Sequence, residues 1–251
     1  MGNAVLIGAD TDLGPALARG LRRMSEGGTV HVAALGPERA AAVPRAGGPA
    51  LHPTALDVRD AAAVQALADR VGGADVVVSA ASAHVVPGVR VQEQVRDLVA
   101  VNNHGAHNVL AAFAPLLNDG GRLVVVTGGP CTLRHLPHPL RARFTSASLP
   151  GLARVMDDYV TAVESGTAAS EGWPGWIEVA SRIGQVAAVR AAARDLPVGR
   201  DVLVNAVCPG DLPAGRAAAE VLWPAALPAG VRTPHGELVR HRAIVPFEGE
   251  S

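Results

Sequence analysis

The chain contains no lysine: all 22 of its basic residues are arginine. With so much alanine, glycine, proline and valine, this points to the codon bias of a GC-rich genome and not to a function. Aromatic residues are scarce too, at 3% of 251 residues with a single tyrosine, so alanine, valine and leucine must fill the core. The only two cysteines, Cys131 and Cys208, lie far apart in the sequence. They match neither a Cys-x-x-Cys pair nor a disulfide framework and read as small, reduced core residues. The net charge is −1 with no basic patch, which argues against a nucleic-acid partner. No apolar run exceeds strand length, Val124–Val126 being typical, so no membrane span is expected. The chain opens directly in a strand pattern, without a basic segment followed by an apolar one, and a cytoplasmic location is expected.

Hydrophobic residues make up 49% of the chain, enough for one large α/β domain. Strand patterns occur at Asn3–Ile7, Thr29–Ala34, a segment ending at Ala55-Leu56-Asp57-Val58, Asp75–Ser79, Arg122–Thr127 and Asp201–Val207. Between them lie helix-period stretches, including Leu13–Met24 and a long amphipathic one over Val91–Leu117 that stops at Asn118–Gly121. This alternation predicts βαβ units and a Rossmann-type, doubly wound parallel sheet spanning 1–251 as a single domain. Ligands of such sheets sit outside the carboxyl ends of the strands. From about 130 to 175 the alternation breaks, punctuated by Pro130, Pro137, Pro139, Pro150 and Pro174. A stretch that long is expected to carry helices of its own, as an insertion covering the active-site mouth.

Several segments carry a likeness. Ile7-Gly8-Ala9-Asp10-Thr11-Asp12-Leu13-Gly14 follows the first strand. Leu56-Asp57-Val58 follows the third, and Asp75–Ser82 contains the fourth. Val101-Asn102 lies on the long helix, and Asn205-Ala206-Val207-Cys208-Pro209-Gly210 closes the sixth strand. In this order and spacing they resemble the short-chain dehydrogenase/reductase family over nearly the whole chain. Glu171–Pro174 and Thr233–Gly236 resemble its monomeric carbonyl reductase branch, which has an insertion before the catalytic helix. The resemblance implies a nicotinamide dinucleotide, NADP or NAD, held by Gly8, Asp12, Gly14, Asp57, Ser79, Pro209 and Gly210. It also leans toward a monomer.

The same resemblance implies chemistry that this chain does not carry. The family's reductases bind and protonate a carbonyl with Ser and Tyr, and a Lys four residues beyond lowers the Tyr pKa and holds the nicotinamide ribose. Here the only tyrosine is Tyr159, followed four residues later by Val163, and no lysine exists. Anchored on Glu171–Pro174 and Ile183-Gly184, the alignment puts Gly128 at the Ser position beside Thr127, Glu178 at the Tyr position and Arg182 at the Lys position. Asn102 alone is kept. A phenol titrates near 10 and can donate a proton at neutral pH, whereas an ordinary Glu near 4.3 is ionised and can only accept one. An arginine one turn on favours that ionised form and does not itself relay protons. The set Glu178, Arg182, Asn102 and Thr127 therefore suits general-base work better than ketone protonation.

The dinucleotide fingerprint is also altered. Asp12 stands at the middle glycine, with Asp10 nearby, and Leu35-Gly36 offers neither an acid for a ribose hydroxyl nor an arginine for a 2′-phosphate. Arg39 comes late, and Ala214 replaces the threonine that meets the carboxamide. Two histidine pairs, His104/His107 and His135/His138, lack a third local ligand, so no metal is expected, although His135 and His138 are candidates to line the mouth. Three functions remain open. One is a small-molecule enzyme, with a substrate of cyclic or polyketide-like kind, running a cyclisation, dehydration or isomerisation with Glu178 as base. The second is an atypical NADP-dependent carbonyl reductase, and the third a non-catalytic binding protein of the same fold.

Overall fold

Valine- and alanine-rich strands alternate with amphipathic helices, and the computed structural model, which describes residues 2–25, 27–42 and 51–248, assembles them around one sheet. The first half runs β1 (Asn3–Ile7), α1 (Gly14–Met24), β2 (Thr29–Ala34), α2 (Gly36–Ala42), β3 (Leu51–Ala55), α3 (Ala61–Val71) and β4 (Ala74–Ser79). Then α4 (Val91–Val99) passes through a π-helical segment (Ala100–Gly105) into α5 (Ala106–Phe113), followed by β5 (Leu117–Val126). A single 3₁₀ turn (Leu133–His135) precedes α6 (His138–Thr145), α7 (Leu149–Ser165), α8 (Ile177–Asp195), β6 (Val202–Val207) and α9 (Ala214–Ala225). The hairpin of β7 (Leu238–Arg240) and β8 (Ala243–Val245) ends the sheet.

The strand order is β3-β2-β1-β4-β5-β6-β7-β8, every pair parallel except β7 with β8. The chain winds outward from β1 to β3 and returns to β4, so winding reverses between β1 and β4, and the crevice for a ligand opens at their carboxyl ends. Side chains alternate across the sheet. Val5, Val77, Leu123 and Val125 face a core shared with Leu98, Phe113 and Ile183, while Leu6, Val76, Val78 and Val124 face one shared with Leu17 and Val221. Burying each such leucine or valine contributes roughly 1.5–3 kcal/mol. Among the described residues no helix is long and apolar enough to cross a membrane.

Three sequence expectations are corrected. The third strand ends at Ala55, not at Val58: Leu56 N–H still donates to the Ala34 carbonyl, but Asp57 then accepts from the Arg59 backbone and turns the chain toward Asp60, which caps α3. The helix expected to run to Leu117 stops at Phe113, just before Pro115, which has no N–H to continue it. β5 already begins at Leu117, and its ladder with β4 slips between Ala74 and Val76.

The third concerns 130–175. The stretch does carry helices, but no residue lining the main cleft comes from it. α7 packs instead against α4 and α8, because its apolar stripe of Leu152, Met156, Tyr159 and Val163 needs cover. Tyr159 is fully buried, donates to the Ile177 carbonyl at 3.2 Å, and packs at a 48° tilt against Trp173 with ring centres 4.7 Å apart. Burial pushes its phenol above the usual range. The single tyrosine is a core residue.

Candidate active site

Two adjoining hollows occupy the crevice and share Thr11, Ser82 and Ala83. The larger, about 430 Å³, lies between the start of α1, the segment after β4, the ends of β5 and β6, and the first turns of α8. Glu178 and Arg182, one turn apart on α8, both line it. Arg182 Nη2 donates to Glu178 Oε1 at 3.0 Å, and Nη1 donates to the Gly129 carbonyl. The pair is about three-quarters buried, at 27% and 23% side-chain exposure. Arg182 fills the space a side chain at 128 would need, since a Cβ on Gly128 would stand 2.8 Å from Arg182 Nε.

Asn102 and Thr127 also reach the wall, with their polar groups committed. Asn102 Oδ1 accepts from Ala83 N–H at 2.7 Å and its Nδ2 donates to Ala83 O at 2.9 Å, so it clamps the segment after β4. Thr127 Oγ1 donates to Gln185 Oε1 at 2.9 Å. The π-helical segment that carries Asn102 is fastened to α8 by Asn103, which exchanges two hydrogen bonds with Ser181 at 2.8 and 2.9 Å. Such bulges concentrate at functional sites. Asp12, Pro209 and Gly210 line the same cleft.

The sequence reading passed over His84. Its Nδ1 lies 4.0 Å from Glu178 Oε1, and its Nε2 lies 3.3 Å from Ser82 Oγ. Nothing in the spacing of Ser82 and His84 predicts that α8, almost a hundred positions later, brings a carboxylate beside them. The cysteines were also read apart and are found together. Both are buried and line a cavity of about 260 Å³ with Arg240. The neighbouring Cys131 thiol draws the Cys208 thiol down to about 6, helped by the Gly210 N–H and the charges of Arg240 and Arg182. The same neighbour effect, with burial, pushes Cys131 up.

The smaller hollow, about 250 Å³, has apolar walls including Leu35, Leu56, Val58 and Val101, with Arg39 and Arg59 at its edge. Arg39 pairs with Asp10 at 3.0 Å, offsetting one of the two acids near the fingerprint. Asp57 lines it but is gripped by Arg59, whose Nη2 lies at 2.7 Å, and that guanidinium holds its carboxyl below the usual range. Gly8 lines the hollow, at φ +87°. Gly14 and Ser79 are placed in neither lining: Gly14 packs on Ala9, and Ser79 ends β4 buried. His104 pairs with Asp157 at 2.9 Å, and among the described residues no group of three His, Cys, Asp or Glu is gathered as a metal site. His135 lines the cysteine cavity and not the cleft.

The family model for short chain dehydrogenases matches residues 2–135. The chain belongs to that family. Carbonyl reductase (NADPH) 1 of Oryctolagus cuniculus is 28% identical over 96% of this chain and 96% of its own length. The Mus musculus protein of the same name is 29% identical over 97% and 98%. Among solved structures, salutaridine reductase from Papaver somniferum superposes with a TM-score of 0.79 at 19% identity, covering 95% of this chain and 99% of its own. A short-chain dehydrogenase/reductase from Serratia marcescens gives 0.62 at 19%, with 95% of each covered. These structural likenesses concern the fold.

The family's dinucleotide meets an uneven set of residues here. The smaller hollow has apolar walls that fit a nucleoside base, but its two guanidinium groups are paired with Asp10, Asp57 and Asp97. The nicotinamide end does not fit the family's donor set. The single tyrosine is not among the residues lining the cleft, the chain has no lysine, and the Glu178–Arg182 ion pair lies on the wall.

Proposed function

We propose that this short-chain dehydrogenase-fold protein is an enzyme of specialised metabolism that carries out a non-redox proton transfer on a carbonyl-bearing small molecule. Cyclisation, dehydration or isomerisation of a cyclic or polyketide-like substrate are the reactions such a step serves. The observation that carries the reading is the Glu178–Arg182 pair on the wall of the 430 Å³ cleft. A carboxylate in a partly buried site accepts a proton from carbon next to a carbonyl, and Arg182 orients it. Asn102 and Thr127 act through their neighbours, Asn102 by fixing Ala83 and Thr127 through Gln185. We read the protein as cytoplasmic and monomeric, α7 packing over α4 and α8 being the support for the latter.

The test is deuterium incorporation from heavy water into a panel of cyclic and linear 1,3-dicarbonyl compounds. Glu178→Gln is expected to lower exchange roughly 10²- to 10⁴-fold, the usual contribution of a positioned base. Full exchange by a folded Glu178→Gln protein removes Glu178 as the base.

A second reading, an NADP-dependent carbonyl reductase, has the named relatives and the apolar walls of the smaller hollow in its favour. It calls for titration with NADPH and NADH and for cofactor oxidation across a ketone panel. Oxidation above background would establish hydride transfer and displace the first reading. A non-catalytic binding protein would show neither exchange nor oxidation.

A further inference from the structure

We propose that Ser82, His84 and Glu178 form a nucleophile, base and orienting acid, and that the cleft cleaves small neutral esters through an acyl-Ser82 intermediate. The two ring nitrogens of His84 face different groups, Nε2 toward Ser82 Oγ at 3.3 Å and Nδ1 toward Glu178 Oε1 at 4.0 Å. Acyl transfer by a serine requires that polarity: one nitrogen to take the hydroxyl proton, the other held by a carboxylate. All three residues line the same cleft. Such contacts are commonly long before a substrate is bound and shorten in the reacting complex.

Ser82 and His84 are exposed at the cleft, and what their neighbours hold is the backbone between them and the carboxylate. Ser82 follows β4 by three residues, at the carboxyl end of the sheet where winding reverses. Ala83, between Ser82 and His84, has both its N–H and its carbonyl held by Asn102. Glu178 is fixed by Arg182, which donates to the same Oε1 that faces His84 and is itself anchored to the Gly129 carbonyl. Asn102 and Arg182 are thus positioning residues for this relay. Across the cleft, Thr11, Asp12 and Leu13 lead into the first turn of α1. Asp12, Asp211 and Glu178 on the walls disfavour anionic substrates, which sets the class as neutral esters.

The step balances without a co-reactant other than water. Ser82 Oγ attacks the ester carbonyl, its proton passes to His84 Nε2, and collapse of the tetrahedral adduct breaks the acyl–oxygen bond. The proton goes to the departing alcohol, leaving acyl-Ser82. Water then attacks the acyl group, gives its proton to His84, and releases the carboxylic acid as Ser82 recovers its hydrogen. This activity goes beyond the proton transfer proposed for Glu178 and shares with it the cleft, that carboxylate and the positioning residues Arg182 and Asn102.

The experiment is hydrolysis of 4-nitrophenyl acetate by the full chain, with quenched early samples digested and mapped by mass spectrometry. The expected result is an acetyl group on Ser82. Ser82→Ala should abolish that mark and lower the rate at least 100-fold, with an unchanged melting temperature. His84→Gln should slow both appearance and loss of the mark. Acetyl found only on Cys208, the amino terminus or a histidine, or a Ser82→Ala rate equal to that of the unsubstituted protein, overturns the proposal. So does a rate no higher than that of the heat-denatured chain. The mark on Ser82 reads this relay alone, because proton transfer at Glu178 leaves nothing covalent there, and deuterium exchange reads the other function separately.

Discussion

The Arg182 guanidinium occupies the place that a side chain at Gly128 would take: a Cβ there would approach Arg182 Nε to 2.8 Å and Cζ to 3.0 Å. The two positions are coupled by volume. Gly128→Ser is expected to displace Arg182 from Glu178 and from the Gly129 carbonyl, costing about 1–3 kcal/mol as overpacking. In the Arg182→Ala background the same substitution should cost far less. A double-mutant cycle on urea unfolding measures the coupling, and additive effects would mean that Arg182 moves aside freely.

His107, 7% exposed on α5, has both ring nitrogens buried without a hydrogen-bond partner. Burial, with His104 adding to it, lowers its pKa to about 4. Unfolded, the same imidazole takes up a proton near pH 6.5. The unfolded state therefore binds more protons below that point, and stability falls as pH drops from 6.5 toward 4, by roughly 3 kcal/mol. His107→Leu should flatten this part of the profile, measured as unfolding free energy at pH 7 and pH 4.5. An unchanged slope would place the acid sensitivity elsewhere.

Cys208 is drawn down to about 6 while Cys131 is pushed up, so the two thiols should differ in reactivity. Iodoacetamide at pH 7 is expected to label Cys208 first, with a rate that levels off above about pH 7. Peptide mapping over a pH series checks this. Equal labelling, or a rate still rising through pH 9, would contradict it.

Arg122 is 1% exposed within β5, with hydrogen bonds to the carbonyls of Leu227 at 3.2 Å and Pro228 at 2.8 Å and a contact to Asp201 at 3.4 Å. Arg122→Leu leaves those carbonyls without their donor and the Asp201 carboxylate with only the more distant Arg232, at 4.0 Å. The expected loss is about 3–5 kcal/mol, the usual effect of removing one partner from a buried pair. Urea denaturation measures it, and a loss under 1 kcal/mol would show that water replaces the guanidinium.

The sheet was legible because its signal is local. Runs such as Val76-Val77-Val78 and Val124-Val125-Val126 declare buried strands by themselves. Glu178 and Arg182 were legible as a pair because a helix brings residues four apart together. The contact of His84 with Glu178, the meeting of Cys131 with Cys208 and the committed side chain of Asn102 were not, since each depends on where loops from different strands converge. The end of the long helix was missed for a plainer reason: Pro115 lay within an apolar stretch whose periodicity continued past it.

Gly8 and Gly14 have a consequence for reading any chain built this way. A Cβ on Gly8 would lie 2.3 Å from Ala81 N, and one on Gly14 2.0 Å from Ala9 O. Both positions are closed to every other residue by the crossing of backbone against backbone, before any phosphate arrives. Two of the fingerprint's three glycines would thus outlast the loss of the nucleotide itself. A scan that finds them has recovered how the turn after the first strand meets the end of the fourth and the first helix, and the question of what rests upon that joint must be put to the residues that do have a choice.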